Sequence, residues 1–207
     1  MDHDPEPDDD AALELIGLHG RKQAGKDTCG ARLVAAHGFS RVAFADPLRL
    51  LLTELDPLVG ARAGAPLRLS TVLAEAGGDW DRLKDEAHDP VHREVRVLLQ
   101  RIGNEAGKAV FGPTVWADRG LATARRLGGR VVLTDVRFDV EAAAITRAGG
   151  RVVHVVRPGT AAGADPHPSE AGVDPRWIAA TIVNDGTLEQ LHALVDALVL
   201  SGRTTPG

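Results

Sequence analysis

The chain has 207 residues and a formal net charge of −5, and only 3% of its residues are aromatic. This length suits one α/β core, and the acidic balance with few aromatic rings argues against a protein that grips polymeric nucleic acid. The single cysteine, Cys29, excludes an intramolecular disulfide and fits a reducing compartment, and no apolar run approaches the ~20 residues that cross a bilayer.

Apolar runs separated by turn residues predict strands that alternate with helices along the chain. The predicted strands cover residues 13–19, 41–44, 131–134, 152–156 and 181–183. The predicted helices cover residues 28–37, a leucine-rich segment that opens at Asp46, and residues 94–108, 114–127, 141–148 and 187–200. Residues 56–90 are expected to form a loop with a short helix outside the sheet. Strands joined through helices favour right-handed crossovers, so we expect a parallel sheet with helices on both faces.

The two ends of the chain are expected to be disordered tails. Residues 1–11 are acidic and contain proline, which is the reverse of a basic signal peptide, and residues 202–207 are short and polar. The region between them, residues 12–201, is expected to form a single domain.

A glycine-bracketed loop follows the first predicted strand. Gly20, Gly25 and Lys26 form the pattern G-x-x-x-x-G-K between a strand and a helix. The backbone N–H groups of such a loop form an anion nest, and the lysine bridges the outer phosphates of a nucleotide. The general pattern then has Ser or Thr for magnesium, where this chain has Asp27 followed by Thr28. Asp27 is a candidate to reach the metal, directly or through water, or to cap the helix, and Thr28 is placed to bond a phosphate oxygen.

A second motif lies in the segment V-V-L-T-D-V-R-F. Its apolar run places Asp135 at the C-terminal end of a central parallel strand, where ligands bind in such sheets. A carboxylate there can organise magnesium or its waters, and Arg137 offers a bidentate fork for phosphate. The alternatives are that Asp135 caps the next helix, that Arg137 is a surface cation, and that Glu141 only complements the helix dipole.

Six segments, in chain order, resemble the phage-type deoxynucleoside monophosphate kinases. They are G-R-K-Q-A-G-K-D-T, F-A-D-P-L, R-V-L-L-Q-R-I-G, V-L-T-D-V-R-F with Glu141, H-P-S-E and N-D-G-T-L-E-Q-L. The resemblance spans about residues 13–200, and that family itself carries Asp after the lysine. It implies an α/β P-loop NTPase fold, a three-layer αβα sandwich around a parallel five-stranded sheet. It also implies a helical acceptor-binding insertion over about residues 46–127 and a lid over about residues 157–177.

The activity implied by the resemblance is transfer of the γ-phosphoryl group of ATP to a deoxynucleoside 5′-monophosphate, with ATP and Mg²⁺ as cofactors. The implied catalytic residues are Lys26, Asp135, Arg137 and Arg157. The implied ATP-binding residues are Gly20, Lys22, Ala24, Gly25, Lys26, Asp27, Thr28 and Asn184. The implied acceptor-binding residues are Asp46, Arg96, Gln100, Trp116, Arg137 and Glu141. The implied lid residues are His167, Ser169 and Glu170, and the implied metal ligands are Asp27 and Asp135.

Several of these residues have a plain structural alternative. Asp46 precedes proline at a helix start and is equally typical of a cap. Trp116 is as typical of a buried core as of base stacking, and Asn184 stands in N-D-G, a turn former. Where the family has G-T and G-R, this chain has Asn104 and Lys108 in the second positions, which leaves the roles of both open.

Two other functions fit the same motifs. One is a kinase of another small acceptor, such as dephospho-coenzyme A, and the other is an NTPase switch that hydrolyses slowly without an acceptor. The expected partners are small-molecule nucleotides, with no polymeric nucleic acid and no membrane, and the resemblance adds a homodimer and the cytoplasm, which is the host cytoplasm if the chain is phage-encoded. The base preference stays open.

Overall fold

The computed structural model describes residues 13–85, 90–159 and 172–201, and the chain divides into two compact units. The first unit consists of Met1–Phe44 and Ala117–Gly207, and the second is Ala45–Trp116. Both predicted tails lie outside the described residues. No helix in the described part of the chain is long and apolar enough to span a membrane.

The elements follow the predicted alternation through most of the chain. The strands are β1 (Glu14–His19), β2 (Ser40–Val42), β3 (Leu58–Arg62), β4 (Ala65–Arg68), β5 (Arg130–Val136), β6 (Arg151–Val156) and β7 (Ile178–Val183). The α-helices are α1 (Lys26–His37), α2 (Asp46–Leu55), α3 (Leu69–Glu75), α4 (Trp80–Asp85), α5 (Pro90–Gln100), α6 (Gly107–Phe111), α7 (Val115–Leu127), α8 (Asp139–Arg147) and α9 (Leu188–Ser201). A π-helical stretch, Arg101–Ala106, joins α5 to α6, and a short 3-10 turn covers Pro175–Trp177.

The first unit is built on a five-stranded sheet in the order β2-β5-β1-β6-β7. Every pairing in this sheet is parallel, which confirms the predicted parallel five-stranded sheet. The strand order changes direction at β1, because β5 lies on one side of it and β6 on the other. In open parallel sheets, the carboxyl ends of the strands at such a switch point form the ligand-binding edge.

Helices cover both faces of this sheet, which confirms the predicted three layers. Side chains of a strand alternate between the faces. Leu15 packs with residues of α7 and α8, whereas its neighbour Ile16 packs with residues of α1 and α9. The central strands β1, β5 and β6 are buried on both faces and read as nearly continuous apolar runs, and this is why the sequence predicts them. The edge strands β2 and β7 are more exposed.

The second unit has its own hydrophobic core. The segment of residues 56–85 lies outside the five-stranded sheet, as expected, but the expected loop with a short helix was wrong. In place of a loop with a short helix, β3 and β4 form an antiparallel hairpin that is followed by α3 and α4. The hairpin turns at Ala63 and Gly64, with φ of 52° and 81°, the sign that primed hairpin turns require. Of the two strands only Val59 is buried, so no alternating pattern announces them.

The helix predicted over residues 94–108 is longer and irregular. Helical structure begins at Pro90, a residue favoured in the first turn, and continues through the π-helical stretch to Phe111. The strand predicted over residues 131–134 is also longer. Since β5 extends to Val136, Asp135 is its penultimate residue, at the C-terminal end of the strand as predicted.

Candidate active site

The loop that follows β1 is shaped by left-handed backbone angles. Gly20 has φ 146°, Gln23 has φ 64° and Gly25 has φ 105°. A Cβ atom at Gly20 would collide with the carbonyl oxygen of Val155, and one at Gly25 would lie 2.6 Å from Nδ2 of Asn184. Glycine is therefore required at both positions, by conformation and by space.

Lys26 is the first residue of α1, and its side chain folds back over this loop. Its Nζ donates hydrogen bonds to the carbonyl oxygens of Gly20 and Arg21, both at 2.7 Å. The helix begins without a side-chain cap, and the first N–H groups of a helix lack intrahelical partners and carry partial positive charge. Ammonium and amides together can hold phosphate oxygens. Asp27 and Thr28 follow in the same turn, Asp27 exposed and Thr28 half-buried.

Asn184 braces the loop from the end of β7. It is buried, its backbone N–H donates to the carbonyl oxygen of Val156 at 2.7 Å, and its Nδ2 donates to the carbonyl oxygen of Ala24 at 3.0 Å. Ala24 is itself buried, whereas Lys22 in the same loop is exposed. The side-chain N–H of Asn184 therefore supports the loop, and its predicted contact to the nucleotide stays a prediction.

The turn after β5 carries Arg137, and its geometry is fixed by a carboxylate. Glu141 is buried, and its Oε2 accepts hydrogen bonds from the backbone N–H groups of Arg137 at 2.7 Å and Phe138 at 3.1 Å. The Arg137 side chain is exposed. Asp135 accepts a hydrogen bond from the backbone N–H of Phe44 through Oδ1, at 2.7 Å. The N-cap of α8 is Phe138, so Asp135 is not the helix cap.

His19, at the end of β1, was overlooked in the sequence. Its side chain is buried, with Nδ1 2.9 Å from the carbonyl oxygen of Val136 and Nε2 3.4 Å from the backbone N of Val173. Burial lowers the pKa of His19 below its usual value. The available signal was an imidazole immediately before Gly20, after the apolar run of residues 15–18.

Arg49 is a second residue of interest that no sequence motif indicates. It lies one turn after Asp46 on α2, with Nη1 3.5 Å from Oδ1 of Asp46 and Nη2 3.4 Å from Oδ1 of Asp81. Its Nε is buried and has no hydrogen-bond partner among the described residues. Such an N–H is costly unless an acceptor reaches it. Asp46 follows the N-cap position, which is Ala45, so it is not the cap residue.

The other predicted acceptor residues of the second unit lie on or near α5. Arg96 is exposed and Gln100 half-buried, and their spacing of four residues places them on one helix face. Trp116 donates its indole N–H to the carbonyl oxygen of Gly103 at 2.7 Å. A Cβ at Gly107 would lie 2.5 Å from the same indole ring, so Trp116 packs closely within its own unit.

Asn104 and Lys108, the two residues that differ from the G-T and G-R pattern, form a hydrogen bond with each other. Nζ of Lys108 donates to Oδ1 of Asn104 at 3.1 Å, one turn apart in the helical segment. The geometry gives both residues a local structural contact, and their roles toward a substrate stay open.

The family model for deoxynucleotide monophosphate kinase matches residues 87–195, more than half of the chain. The chain belongs to the deoxynucleotide monophosphate kinase family. The resemblance seen in the sequence motifs is thereby confirmed, and the protein is a nucleotide kinase, a phosphotransferase that uses ATP.

Similar proteins have been described. One similar protein comes from Acanthamoeba polyphaga mimivirus and is named "Putative deoxynucleotide monophosphate kinase". It is 28% identical to this chain over 206 residues, which cover 90% of this chain and 96% of that protein. Shikimate kinase from Acinetobacter baumannii aligns at 13% identity with a TM-score of 0.45, covering 94% of this chain and 97% of that one. Dephospho-CoA kinase from Campylobacter jejuni aligns at 10% identity with a TM-score of 0.40, covering 92% and 98%. Neither structural alignment carries the family assignment.

Arg157 lies at the carboxyl-end edge of the five-stranded sheet, the same edge as the loop after β1. It follows directly on β6, and its side chain is exposed. The predicted lid residues His167, Ser169 and Glu170 lie outside the described residues. Their roles in this nucleotide kinase, like those of all the site residues above, stay predictions.

The carboxylates of Asp27 and Asp135 are of the kind that binds magnesium. Within residues 13–85, 90–159 and 172–201, no three His, Cys, Asp or Glu side chains cluster as a complete metal site. Magnesium in kinases does not need one, since it is held by one or two carboxylates, waters and the substrate phosphates. Asp27 is exposed in the first turn of α1, and Asp135 is half-buried with its Oδ1 bonded to Phe44. Both supply the hard oxygen donors that this ion prefers.

Proposed function

We propose that the protein transfers the γ-phosphoryl group of ATP to a deoxynucleoside 5′-monophosphate and yields the deoxynucleoside diphosphate and ADP. The observation that carries the proposal is the phosphate-binding loop, with Lys26 folded over it and Asn184 bracing it, in a chain of this family. Membership of the family supports phosphoryl transfer as the reaction class. The loop offers an ammonium group and backbone amides that can hold the phosphates of ATP.

The loop and the start of α1 bind the phosphates of ATP in this proposal. Gly20 and Gly25 let the backbone approach phosphate oxygens closely. Lys26 exchanges its two carbonyl acceptors, Gly20 and Arg21, for phosphate oxygens, since a charged acceptor bonds an ammonium more strongly than a neutral carbonyl does. Asn184 keeps the loop in the shape that presents its amides.

Phosphoryl transfer then needs position and charge neutralisation more than covalent chemistry by the protein. An oxygen of the acceptor phosphate attacks the γ-phosphorus in line, and the bond from that phosphorus to the β-γ bridging oxygen breaks. Lys26, Arg137 and Arg157 neutralise the charge that spreads over the transferring group. Magnesium, when bound, supplies additional positive charge at the phosphate oxygens, and Asp27 and Asp135 would hold it or its waters.

The second unit supplies the acceptor-binding residues in this proposal. Arg96 binds the acceptor phosphate, and the Gln100 amide reads the base with one donor and one acceptor group. Arg49 joins this set, because its buried Nε–H lacks an acceptor among the described residues, and Asp46 at 3.5 Å and Asp81 at 3.4 Å contact only its Nη atoms. The phosphate of a nucleoside monophosphate is negatively charged and can accept a hydrogen bond from this positively charged guanidinium.

A coupled assay of ADP release tests the proposal. The protein is supplied with ATP, magnesium and, one at a time, the four common deoxynucleoside monophosphates, dephospho-coenzyme A, or no acceptor. We expect ADP release that depends on one or more of the deoxynucleotides. Release only with dephospho-coenzyme A would identify a different small-acceptor kinase, and equal release without acceptor would identify an NTPase. Lys26→Ala is the control for contaminating kinases.

A further inference from the structure

The His19 imidazole donates one hydrogen bond and accepts another, and together these two bonds define its protonation state and its tautomer. The carbonyl oxygen of Val136 can only accept, so Nδ1 carries the proton at 2.9 Å, and the N–H of Val173 can only donate, so Nε2 is the acceptor at 3.4 Å. This is a neutral ring with one fixed tautomer. The partners are 117 and 154 residues away along the chain, so the ring ties three separate segments.

The peptide group between Val136 and Arg137 is held at both of its polar atoms. His19 donates to its carbonyl oxygen, and Oε2 of Glu141 accepts from its N–H at 2.7 Å. The same carboxylate oxygen accepts from the next N–H, that of Phe138. Because a peptide unit is planar, fixing its carbonyl and its N–H fixes the plane and the position of the Arg137 Cα atom. The Glu141 bond to the N–H of Phe138 holds the next peptide as well, so the two peptides together restrain the direction in which the Arg137 side chain leaves the backbone.

Burial keeps the His19 ring neutral, because it lowers the pKa of the imidazole more than any other cause. The hydrogen bond to Val136 and the charge of Asp139 from α8 raise this pKa, whereas the charge of Lys26 from α1 lowers it. On β6 the ring of His154 lies 5.0 Å away, and Arg21 and Lys26 face that second imidazole. The pKa of His154 is lowered as well, first by burial, so neither ring places a charge beside the other at neutral pH.

We propose that His19 is a positioning residue for phosphoryl transfer, which clamps the 136–137 peptide together with Glu141 and so aims Arg137 at the phosphate. The inference rests on the proposed function, in which Arg137 neutralises phosphate charge. His19 itself touches neither nucleotide in this account. Its contribution passes through Arg137, and this separates it from a histidine that only fills the core.

The test is a double-mutant cycle between His19→Phe and Arg137→Ala, because such a cycle isolates coupling between two residues. Phe fills the ring volume and removes both hydrogen bonds. We expect His19→Phe to lower kcat by about tenfold or more, in line with the loss of one buried hydrogen bond. In the Arg137→Ala background the same change is expected to cost little further. An equal loss of kcat in both backgrounds would show a structural role and overturn the proposal.

Two further variants keep the test decisive. His19→Asn retains a donor near Nδ1 and is expected to recover most of the turnover, whereas His19→Gln places its amide near Nε2 and is expected not to. These two also serve if the Phe variant does not fold. His154→Phe is the matched imidazole-to-phenyl control on the neighbouring strand, with no hydrogen bond to the turn in the described residues.

Amide hydrogen exchange supplies a readout that needs no acceptor. The N–H groups of Arg137 and Phe138, both bonded to Glu141, are expected to exchange at least about tenfold faster in His19→Phe than in the parent chain. Unchanged exchange would overturn the clamp whatever the kinetics show. If the parent chain phosphorylates no deoxynucleotide but the exchange responds as expected, the proposed function fails and the clamp stands.

Discussion

The side-chain amide of Asn184 donates to the carbonyl oxygen of Ala24 at 3.0 Å, and this bond joins the end of β7 to the glycine-bracketed loop that follows β1. Both residues are buried. A buried carbonyl that loses its donor costs about 1–3 kcal/mol, and the loop would relax to recover a partner. The bond therefore couples the shape of the loop to a residue 160 positions away.

Removing this brace is expected to weaken nucleotide binding. In Asn184→Ala we expect the Kd for ATP to rise about 5- to 100-fold, the equivalent of that lost bond, as measured by isothermal titration calorimetry. Asn104→Ala in the second unit is the matched control, since its side chain accepts a hydrogen bond from Lys108 one turn away in its own unit. An unchanged Kd in Asn184→Ala would show that the loop keeps its shape without the brace.

A methyl group at Gly25 is expected to abolish nucleotide binding. Its Cβ would lie 2.6 Å from Nδ2 of Asn184, and φ of 105° is unfavourable for any residue with a side chain. Gly38→Ala is the matched control, because Gly38 also has a positive φ, 69°, but nothing within 4 Å of the added Cβ. We expect the control to lose some stability and keep its ATP affinity. Tight ATP binding by Gly25→Ala would contradict the loop geometry.

Loss of the site cations is expected to act on turnover. In the proposed mechanism Lys26 and Arg137 stabilise the charge on the transferring phosphoryl group, so Lys26→Ala and Arg137→Ala are each expected to lower kcat by about 100-fold or more. Arg147→Ala on the exposed side of α8 controls for the loss of one arginine, and its turnover should match that of the parent chain. Near-full activity in either site variant, in an assay of ADP release, would remove that residue from the mechanism.

Arg96→Ala is expected to affect the acceptor and not ATP. We expect KM for the deoxynucleoside monophosphate to rise about tenfold or more, since a charge-assisted bond to phosphate is lost, while the Kd for ATP stays the same. Arg93→Ala is the matched control, an exposed arginine three residues earlier on α5. Equal effects of the two variants on KM would indicate that only the general positive charge of the helix matters.

The Asp196 carboxylate makes stability depend on pH. Arg32 holds it through two hydrogen bonds, at 2.9 and 2.7 Å, and His37 through a third, at 2.7 Å, and these keep its pKa below the usual 3.8. Because the folded-state pKa is depressed, this contribution is complete above about pH 4 and is lost as the pH falls further.

Asp196→Asn is accordingly expected to lower the free energy of unfolding at pH 7, and the difference from the parent chain should shrink as the pH falls below 4. Urea unfolding at pH 7 and at pH 3 measures both. Asp185→Asn, an exposed carboxylate before α9, controls for the change of net charge. A difference that stays constant with pH would show that the ionised carboxylate is not what stabilises α1 against α9.

Much of the first unit follows from local sequence. Its three central strands, β1, β5 and β6, are buried on both faces and read as apolar runs, and the loop is marked by the spacing of Gly20, Gly25 and Lys26. The hairpin of β3 and β4 has no such mark, because only Val59 in it is buried and its turn uses Ala63 in a left-handed conformation.

The supporting contacts of the site could not be predicted, because each joins distant parts of the chain. His19 bonds to Val136 and Val173, and Asn184 bonds to Ala24, and no local pattern encodes these pairs. Glu141 was selected for a substrate contact, and the structure adds a second use for it, two backbone bonds that hold the Arg137 turn. The residue types therefore indicated which side chains belong to the site, but the sequence did not indicate which distant residues they bond to.

Product analysis tests the central claim most directly. The protein is incubated with ATP, magnesium and an equimolar mixture of the four deoxynucleoside monophosphates, and the nucleotides are separated and identified by mass. The account predicts one or more deoxynucleoside diphosphates, formed in equal amount to ADP and absent with Lys26→Ala. ADP that accumulates equally with and without the monophosphates, and with no deoxynucleoside diphosphate, would contradict it.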